Sequence, residues 1–313
     1  MINSMYQKDC SLLVCSCDNY SSAWYPYFEL IKIYWPECPE KIYLNTEIKK
    51  YICEGLNIIT VNCEEKVSWS ERLYHCLEKI DTKYIIFTLE DYFLVDYVKN
   101  EKIQQAYSYM EENPDIAVCR LYASNDENLK KIEKYDDFYC AEADVNLRLD
   151  AQAALWNRET LMSFLDFTES PWDFENKGTE RIKDTNKVFL FYYHEDCYKT
   201  ENMIFPYYVR QNFGYGIAWG SYWLWKNKEL FEKNNINNVD FKSLGVLSER
   251  AVRLRYKYLY NSNPKGIGVI IKPIYRMKDR LDRGIRIIKF SGIKDGLKKL
   301  LSILRKRMVG GGG

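Results

Sequence analysis

Short apolar runs alternate with segments of helical spacing from Ser11 to Leu121, and few folds accept that rhythm. The apolar runs are Ser11–Cys17, Lys41–Leu44, Asn57–Val61, Tyr84–Thr88 and Ile116–Leu121. Each is too short for a helix and reads as a buried strand. Between them, Trp24–Tyr34 has helical spacing and stops at Trp35-Pro36. Ser68 opens a second helix with Glu71 in the capping-box position, and Val98–Glu112 is a third. Strands alternating with helices predict an α/β fold with a doubly wound, mostly parallel sheet flanked by helices. Such sheets bind ligands at the carboxyl ends of their strands. Further along, Ala151–Trp156 reads as a strand and the chain turns helical from Arg158. Ser170 and Pro171 stand at the N-cap and first position of another helix, and Lys187–Tyr193 reads as a strand. Tyr207–Trp225, very aromatic and carrying Gly214, Gly216 and Gly220, reads as an ordered loop region.

Composition narrows the class. The chain has 313 residues, 47% hydrophobic and 28% charged, enough apolar area for a sizeable core. That excludes a disordered tail, a collagen or a small disulfide scaffold. The first residues lack the basic and apolar regions of a signal peptide, and no window has the ~18 apolar residues of a spanning helix. The ten cysteines therefore read as reduced thiols. Cys15 and Cys17 would share one strand face, but no second Cys or His pair completes a zinc site, so they read as small buried hydrophobes. With two histidines and no nucleophile motif, a Cys/His hydrolase is disfavoured.

Two strand ends carry carboxylates in loops: Asp18 after the first strand, and Glu90-Asp91 after the fourth. Neither a GxGxxG nor a Walker A sequence is present, which disfavours glycine-rich phosphate loops. The segments CSCDNYSSAWYPYFELIKIYWPECPEKIYLNTE, KYIIFTLEDYFLVDYV, AQAALWNRETL and SPWDFENKG, spanning about residues 11–180, resemble bacterial GT-A glycosyltransferases. The likeness is to the family-2-like enzymes of capsule, lipopolysaccharide and O-antigen biosynthesis. The order of these segments carries the resemblance, since each motif alone is common.

The resemblance implies a Rossmann-like GT-A domain that moves a sugar from a nucleotide diphosphate, a UDP-sugar by expectation, to a hydroxyl of a surface-glycan or lipid-linked acceptor. It implies that Asp18, Asn19 and Tyr20 grip the nucleoside, although Asp-Asn also favours an Asx turn in any protein. It implies that Glu90 serves the donor ribose and that Asp91 holds a divalent ion, Mn2+ or Mg2+, to neutralise the leaving diphosphate. The usual Asp-x-Asp form is incomplete here, with Tyr92 where a further Asp would stand. An inverting transfer needs a carboxylate base near the acceptor hydroxyl. Asp173 and Glu175 compete for it. Asp173 sits at N3 of a capping box and so has a structural task, which favours Glu175. In a retaining enzyme Glu175 would orient the acceptor instead. Trp172 is a candidate sugar-stacking ring, while Phe174 reads as core. His194, after the strand Lys187–Tyr193, is a candidate third metal ligand or an ordinary hydrogen-bonding histidine. Trp219 lies in an aromatic stretch that resembles loops closing over donors, or else forms a packed corner. A glycan- or nucleotide-binding protein without catalysis is the rival class.

Charge is unevenly spread. From Arg250 onward there are 18 Lys and Arg against 3 Asp and Glu, whereas the rest of the chain carries 27 against 41. Within Arg283–Met308, Phe290, Ile293, Leu297, Leu300, Leu301, Leu304 and Met308 fall on one helical face with Lys and Arg opposite. Such a helix can lie on an anionic membrane or pack on the domain. An acidic body argues against nucleic acid. The expected organisation is a catalytic domain over 1–240, a basic helical membrane-association region over 241–309 and a Gly tail over 310–313. The expected location is the cytoplasmic face of the cell membrane.

Overall fold

A computed structural model describes residues 6–63, 67–208, 213–218 and 222–255. The chain opens with one turn of helix, α1 (Tyr6–Asp9), and enters β1 (Cys10–Cys15). A 3-10 turn over Asp18–Tyr20 leads into α2 (Ser21–Tyr34), which starts three residues before its apolar spacing does. Then follow β2 (Ile42–Thr46), β3 (Ile58–Asn62), α3 (Trp69–Glu78), β4 (Tyr84–Leu89), α4 (Asn100–Glu112) and β5 (Ile116–Ser124). Ser68 caps α3 by accepting from the Glu71 amide at 3.0 Å. The next elements are β6 (Phe138–Cys140), β7 (Ala154–Asn157), α5 (Arg158–Ser163), α6 (Pro171–Asp173), a π-turn (Phe174–Gly178), α7 (Thr179–Arg181) and β8 (Val188–Tyr193).

These eight strands form one sheet in the order β3-β2-β1-β4-β7-β5-β8-β6. β7 and β6 run against their neighbours, and every other pairing is parallel. The fold is thus the expected Rossmann-like, mostly parallel α/β sheet. β6 was not read from the sequence, and the extra antiparallel strand β7 sits in the middle rather than at an edge. Strand alternation sorts the core. Leu12, Val14 and Ile86 pack with α2 and α4 on one face, and Leu13, Cys15, Ile85 and Phe87 pack with α3 and α5 on the other. Cys17 lies beyond β1, so Cys15 and Cys17 do not share a strand face.

A second, three-stranded sheet joins β9 (Ile217–Ala218), β10 (Tyr222–Leu224) and β11 (Val246–Leu247) in the order β11-β10-β9. Helices α8 (Asn227–Lys233), α9 (Phe241–Leu244) and α10 (Glu249–Arg255) accompany it. Trp223 fastens this layer to the body by stacking on Phe93, ring centres 5.8 Å apart. It also donates to the Asp240 carbonyl at 3.3 Å. The basic segment Arg283–Met308 and the Gly tail lie outside the described residues. Among the described residues no helix is long and apolar enough to cross a membrane.

Candidate active site at the carboxyl edge of the sheet

The parallel strands β1, β2, β4, β5 and β8 all end at one edge, and because β7 is antiparallel its beginning lies there too. The pairing Phe87↔Ala154 brings the residues after β4 alongside those before β7. Two acidic segments distant in sequence, Glu90-Asp91 and Asp150, thereby reach the same place. Tyr92 ties them together: its hydroxyl donates to the Ala151 carbonyl at 3.0 Å. The Ala151 amide in turn donates to a Glu175 carboxylate oxygen at 3.1 Å. Glu175 therefore arrives at the strand end next to the segment that carries Asp91.

The position of Glu175 is built locally. Ser170 and Asp173 form a complete capping box, Ser170 accepting from the Asp173 amide and Asp173 accepting from the Ser170 amide, both at 3.2 Å. The following π-turn re-aims the side chains after it, as such turns often do at functional sites. Thr179 holds it by donating to the Glu175 carbonyl at 2.6 Å and accepting from the Leu149 amide at 3.0 Å. Arg181 locks the far end through two bonds to the buried Glu169, at 2.7 and 3.0 Å. Glu175 itself is half-buried. Burial pushes its carboxyl above the usual range, and the charge of Asp150 adds to this against the pull of the Ala151 amide. Asp173 behaves oppositely: Lys177 and Ser170 hold it down at about 2. It is a helix cap paired to Lys177 at 2.8 Å. Trp172, three residues before Glu175, is 73% exposed, whereas Phe174 is buried against Trp69.

At the end of β4 the two acids differ. Glu90 is buried, and its carboxyl is held well above the usual range by burial and then by the neighbouring Asp91, with Ser16 and Arg72 pulling the other way. Asp91 is half-buried and also raised by burial, although the Ile217 amide favours its charged form. Gly216 explains how β9 comes so close. A Cβ there would stand 3.3 Å from the Asp91 carbonyl oxygen, and its φ of +88° suits glycine. Asn227 clamps the same glycine, accepting from its amide at 3.0 Å and donating to its carbonyl at 2.6 Å. Lys226 stands over the Tyr215 ring. The described part of the aromatic loop is thus a packed corner touching Asp91. Trp219 lies outside the described residues.

Asp18 spends its carboxylate on the chain itself. It accepts from the Ile48 and Lys49 amides at 3.1–3.3 Å and from the Thr46 hydroxyl at 3.2 Å. It therefore fastens the loop after β2 rather than closing an Asx turn of its own. Asn19 is exposed and Tyr20 half-buried on the same 3-10 turn. His194 follows β8 and accepts from the Asp196 amide at 3.1 Å on Nδ1. β8 lies three strands from β4, about 14 Å at ordinary strand spacing. The structure does not bring His194 to Asp91. Among the described residues, no three His, Cys, Asp or Glu side chains gather closely enough to hold a metal.

Four residues of this site escaped sequence reasoning. Asp150 and Arg120 form a nearly buried ion pair at 2.6 Å, the guanidinium lying over the Phe191 ring. Tyr207 stacks on Tyr92 at 4.2 Å, accepts from the Ala153 amide and bonds Gln152. Arg72 is buried under the β1–β4 ends, donating to the Ser16 carbonyl at 2.8 Å and pairing with Glu47 at 3.0 Å. The acid at Asp150 was visible, but only an antiparallel β7 puts a strand's beginning at this edge. Burial keeps the nearby thiols protonated, Cys15 pushed up to about 11 and Cys17 to about 12. Neither serves as a thiolate nucleophile.

No protein-family model and no curated protein matches the sequence. Solved structures of similar fold include a CMP:2-keto-3-deoxy-manno-octonic acid synthetase complexed with CTP. It is 12% identical over 60% of this chain and 90% of that one, with a TM-score of 0.36. HddC from Yersinia pseudotuberculosis is 9% identical over 59% and 90%, with a TM-score of 0.36. TarS from S. aureus is 10% identical over 59% of this chain and 37% of that one, with a TM-score of 0.38. These likenesses are of general architecture.

Proposed function

We propose that the chain is a nucleotide-sugar-dependent glycosyltransferase, with its donor at the β1 and β4 ends and Glu175 as the base that deprotonates the acceptor hydroxyl. The observation that carries this reading is the chain Asp91-Tyr92–Ala151–Glu175. It sets a raised, half-buried carboxylate on a π-turn beside an acidic strand end. A base needs a carboxylate that can take a proton near neutral pH, and upward pKa shifts serve that need. The exposed Trp172 offers a ring for an acceptor sugar on the same helical segment. Inversion, a UDP donor and a surface-glycan or lipid-linked acceptor complete the proposal. The basic segment 276–313 would hold the enzyme at an anionic inner membrane face, and deleting it should release the protein from anionic vesicles.

A divalent ion fits this site only in part. Asp91 can offer an oxygen, but Glu90 is buried and favours its neutral form. Mn2+ or Mg2+ would therefore take one carboxylate from the protein and its other ligands from a diphosphate and water, a common habit of Mg2+. When bound it would neutralise charge on the leaving diphosphate. The same sparse donor set favours the second reading, a nucleotide- or glycan-binding protein without turnover.

A thermal-shift panel of UDP, GDP, CMP, dTDP and their sugars, each with and without Mn2+, tests the donor. A ligand at 100 times its Kd adds about 2.7 kcal/mol of stability. A selective shift names the nucleotide; no shift on folded protein refutes the donor site. Turnover by the wild type, lost in Glu175→Gln with nucleotide affinity kept, separates transferase from binder.

A further inference from the structure

The loop after β2 carries two strongly exposed isoleucines: Ile48 is 67% exposed and Ile52 90% exposed. The loop is nonetheless held firmly. Asp18 takes both the Ile48 and the Lys49 amides, and the Lys49 carbonyl accepts from Thr46 and Asn62 at 2.8 and 3.0 Å. Lys49 Nζ donates to the Asp18 carbonyl and to Ser21. Tyr51 exchanges two bonds with Thr60, both at 3.3 Å, and stacks on Phe28 at 5.4 Å. Rigid anchoring of a loop whose tip is aliphatic has a cost in exposed apolar surface and no return within the fold. Exposed apolar patches rimmed by polar residues mark protein or membrane contact sites.

The charges nearby select the partner. Lys49 and Lys50 lie between the two isoleucines, and Lys50 is exposed and in no ion pair among the described residues. Of the acids on the loop, Glu47 turns inward to Arg72 and to the Asp18 amide, leaving Glu54 exposed beyond Ile52. The Lys49 ammonium is taken by the Asp18 carbonyl and Ser21, so among the described residues the free cation between the two aliphatic side chains is Lys50. Two exposed isoleucines flanking a free lysine suit the interface of an anionic bilayer, where the apolar groups enter the headgroup region and the Lys50 ammonium meets lipid phosphate. We infer that the Ile48–Ile52 loop is a membrane-contacting tip that seats the carboxyl edge of the sheet against an anionic lipid surface. β2 lies two strands from β4, about 10 Å. The tip would thus hold the acidic strand end within reach of a headgroup-borne acceptor.

The test is the affinity of the full chain for vesicles of phosphatidylglycerol and phosphatidylethanolamine, measured by co-sedimentation at moderate salt. The double variant I48S/I52S should bind at least about tenfold more weakly, a loss of 1.4 kcal/mol. Its melting temperature should match the wild type, because neither side chain packs in the core. K50E should weaken binding to these vesicles and leave binding to phosphatidylcholine vesicles as it was. Unchanged affinity of I48S/I52S overturns the assignment. So does light scattering that shows a wild-type dimer turned monomer by I48S/I52S, which would make the tip a contact between copies. Vesicle binding is read without nucleotide, so its loss and the loss of transfer are separate results.

Discussion

The Tyr92 hydroxyl donates to the Ala151 carbonyl at 3.0 Å, across the junction where β4 ends and β7 begins. That bond joins the Glu90-Asp91 turn to the backbone that also holds Glu175. It makes one site out of residues more than eighty positions apart in the chain. Tyr207 stacks on the Tyr92 ring whose hydroxyl makes this bond.

Glu175→Gln should lower kcat by about 10²–10⁴ if Glu175 is the base. Glutamine can still accept from the Ala151 amide, so the melting temperature should hold. A change in KM alone would move the base elsewhere. The wild-type pH profile carries the same signature. A base acts when deprotonated, and this carboxyl is raised, so activity should fall on the acid side at a higher pH than an ordinary glutamate would give.

Glu90→Gln should stabilise the protein at neutral and alkaline pH. A carboxyl raised in the folded state contributes stability fully present below its unfolded pKa and lost as pH rises through the folded value. Glutamine keeps the shape of the neutral acid and has no proton to lose. The gain should therefore be near zero at about pH 4, an ordinary carboxylate pKa, and grow towards pH 8. In a chain of this size each kcal/mol raises the melting temperature by about 2–4 °C. Equal melting temperatures of the two proteins at both pH values would contradict the buried, neutral Glu90.

Arg120→Leu should destabilise by about 3–5 kcal/mol, because it leaves Asp150 buried without its cation. Adding Asp150→Leu should recover much of that loss. Urea unfolding of the two single variants and the double variant gives the coupling; additive losses would show that the pair does not act as a unit.

Gly216→Ala should weaken donor binding more than it lowers stability. Its φ of +88° costs an L-residue about 1–2 kcal/mol, and the new methyl presses on the Asp91 carbonyl. Nucleotide titration should show a raised Kd. An unaltered Kd would remove the β9 contact from any role in holding Asp91.

Local sequence determined much of this protein. Apolar runs bounded by turns fixed β1, β2, β4 and β8 to within about two residues, because buried strands need continuous apolar side chains. Ser170 and Asp173 announced their capping box, a contact that closes within four residues. The acids Glu90, Asp91 and Glu175 were legible as candidates by their positions after a strand and at a helix start. What tertiary structure decided was which of them meet. The direction of β7 is set by pairing with β4 and β5, which no local signal encodes, and it alone carries Asp150 and Ala151 to the carboxyl edge of the sheet. The burial that raises Glu90 and Glu175, the Arg120–Asp150 pair and the Tyr92–Tyr207 stack all depend on that packing. So does the fate of Asp18, whose carboxylate is taken by amides thirty residues away. Short-range patterns specify elements, but charge states and site membership are properties of side chains brought together from distant parts of the chain.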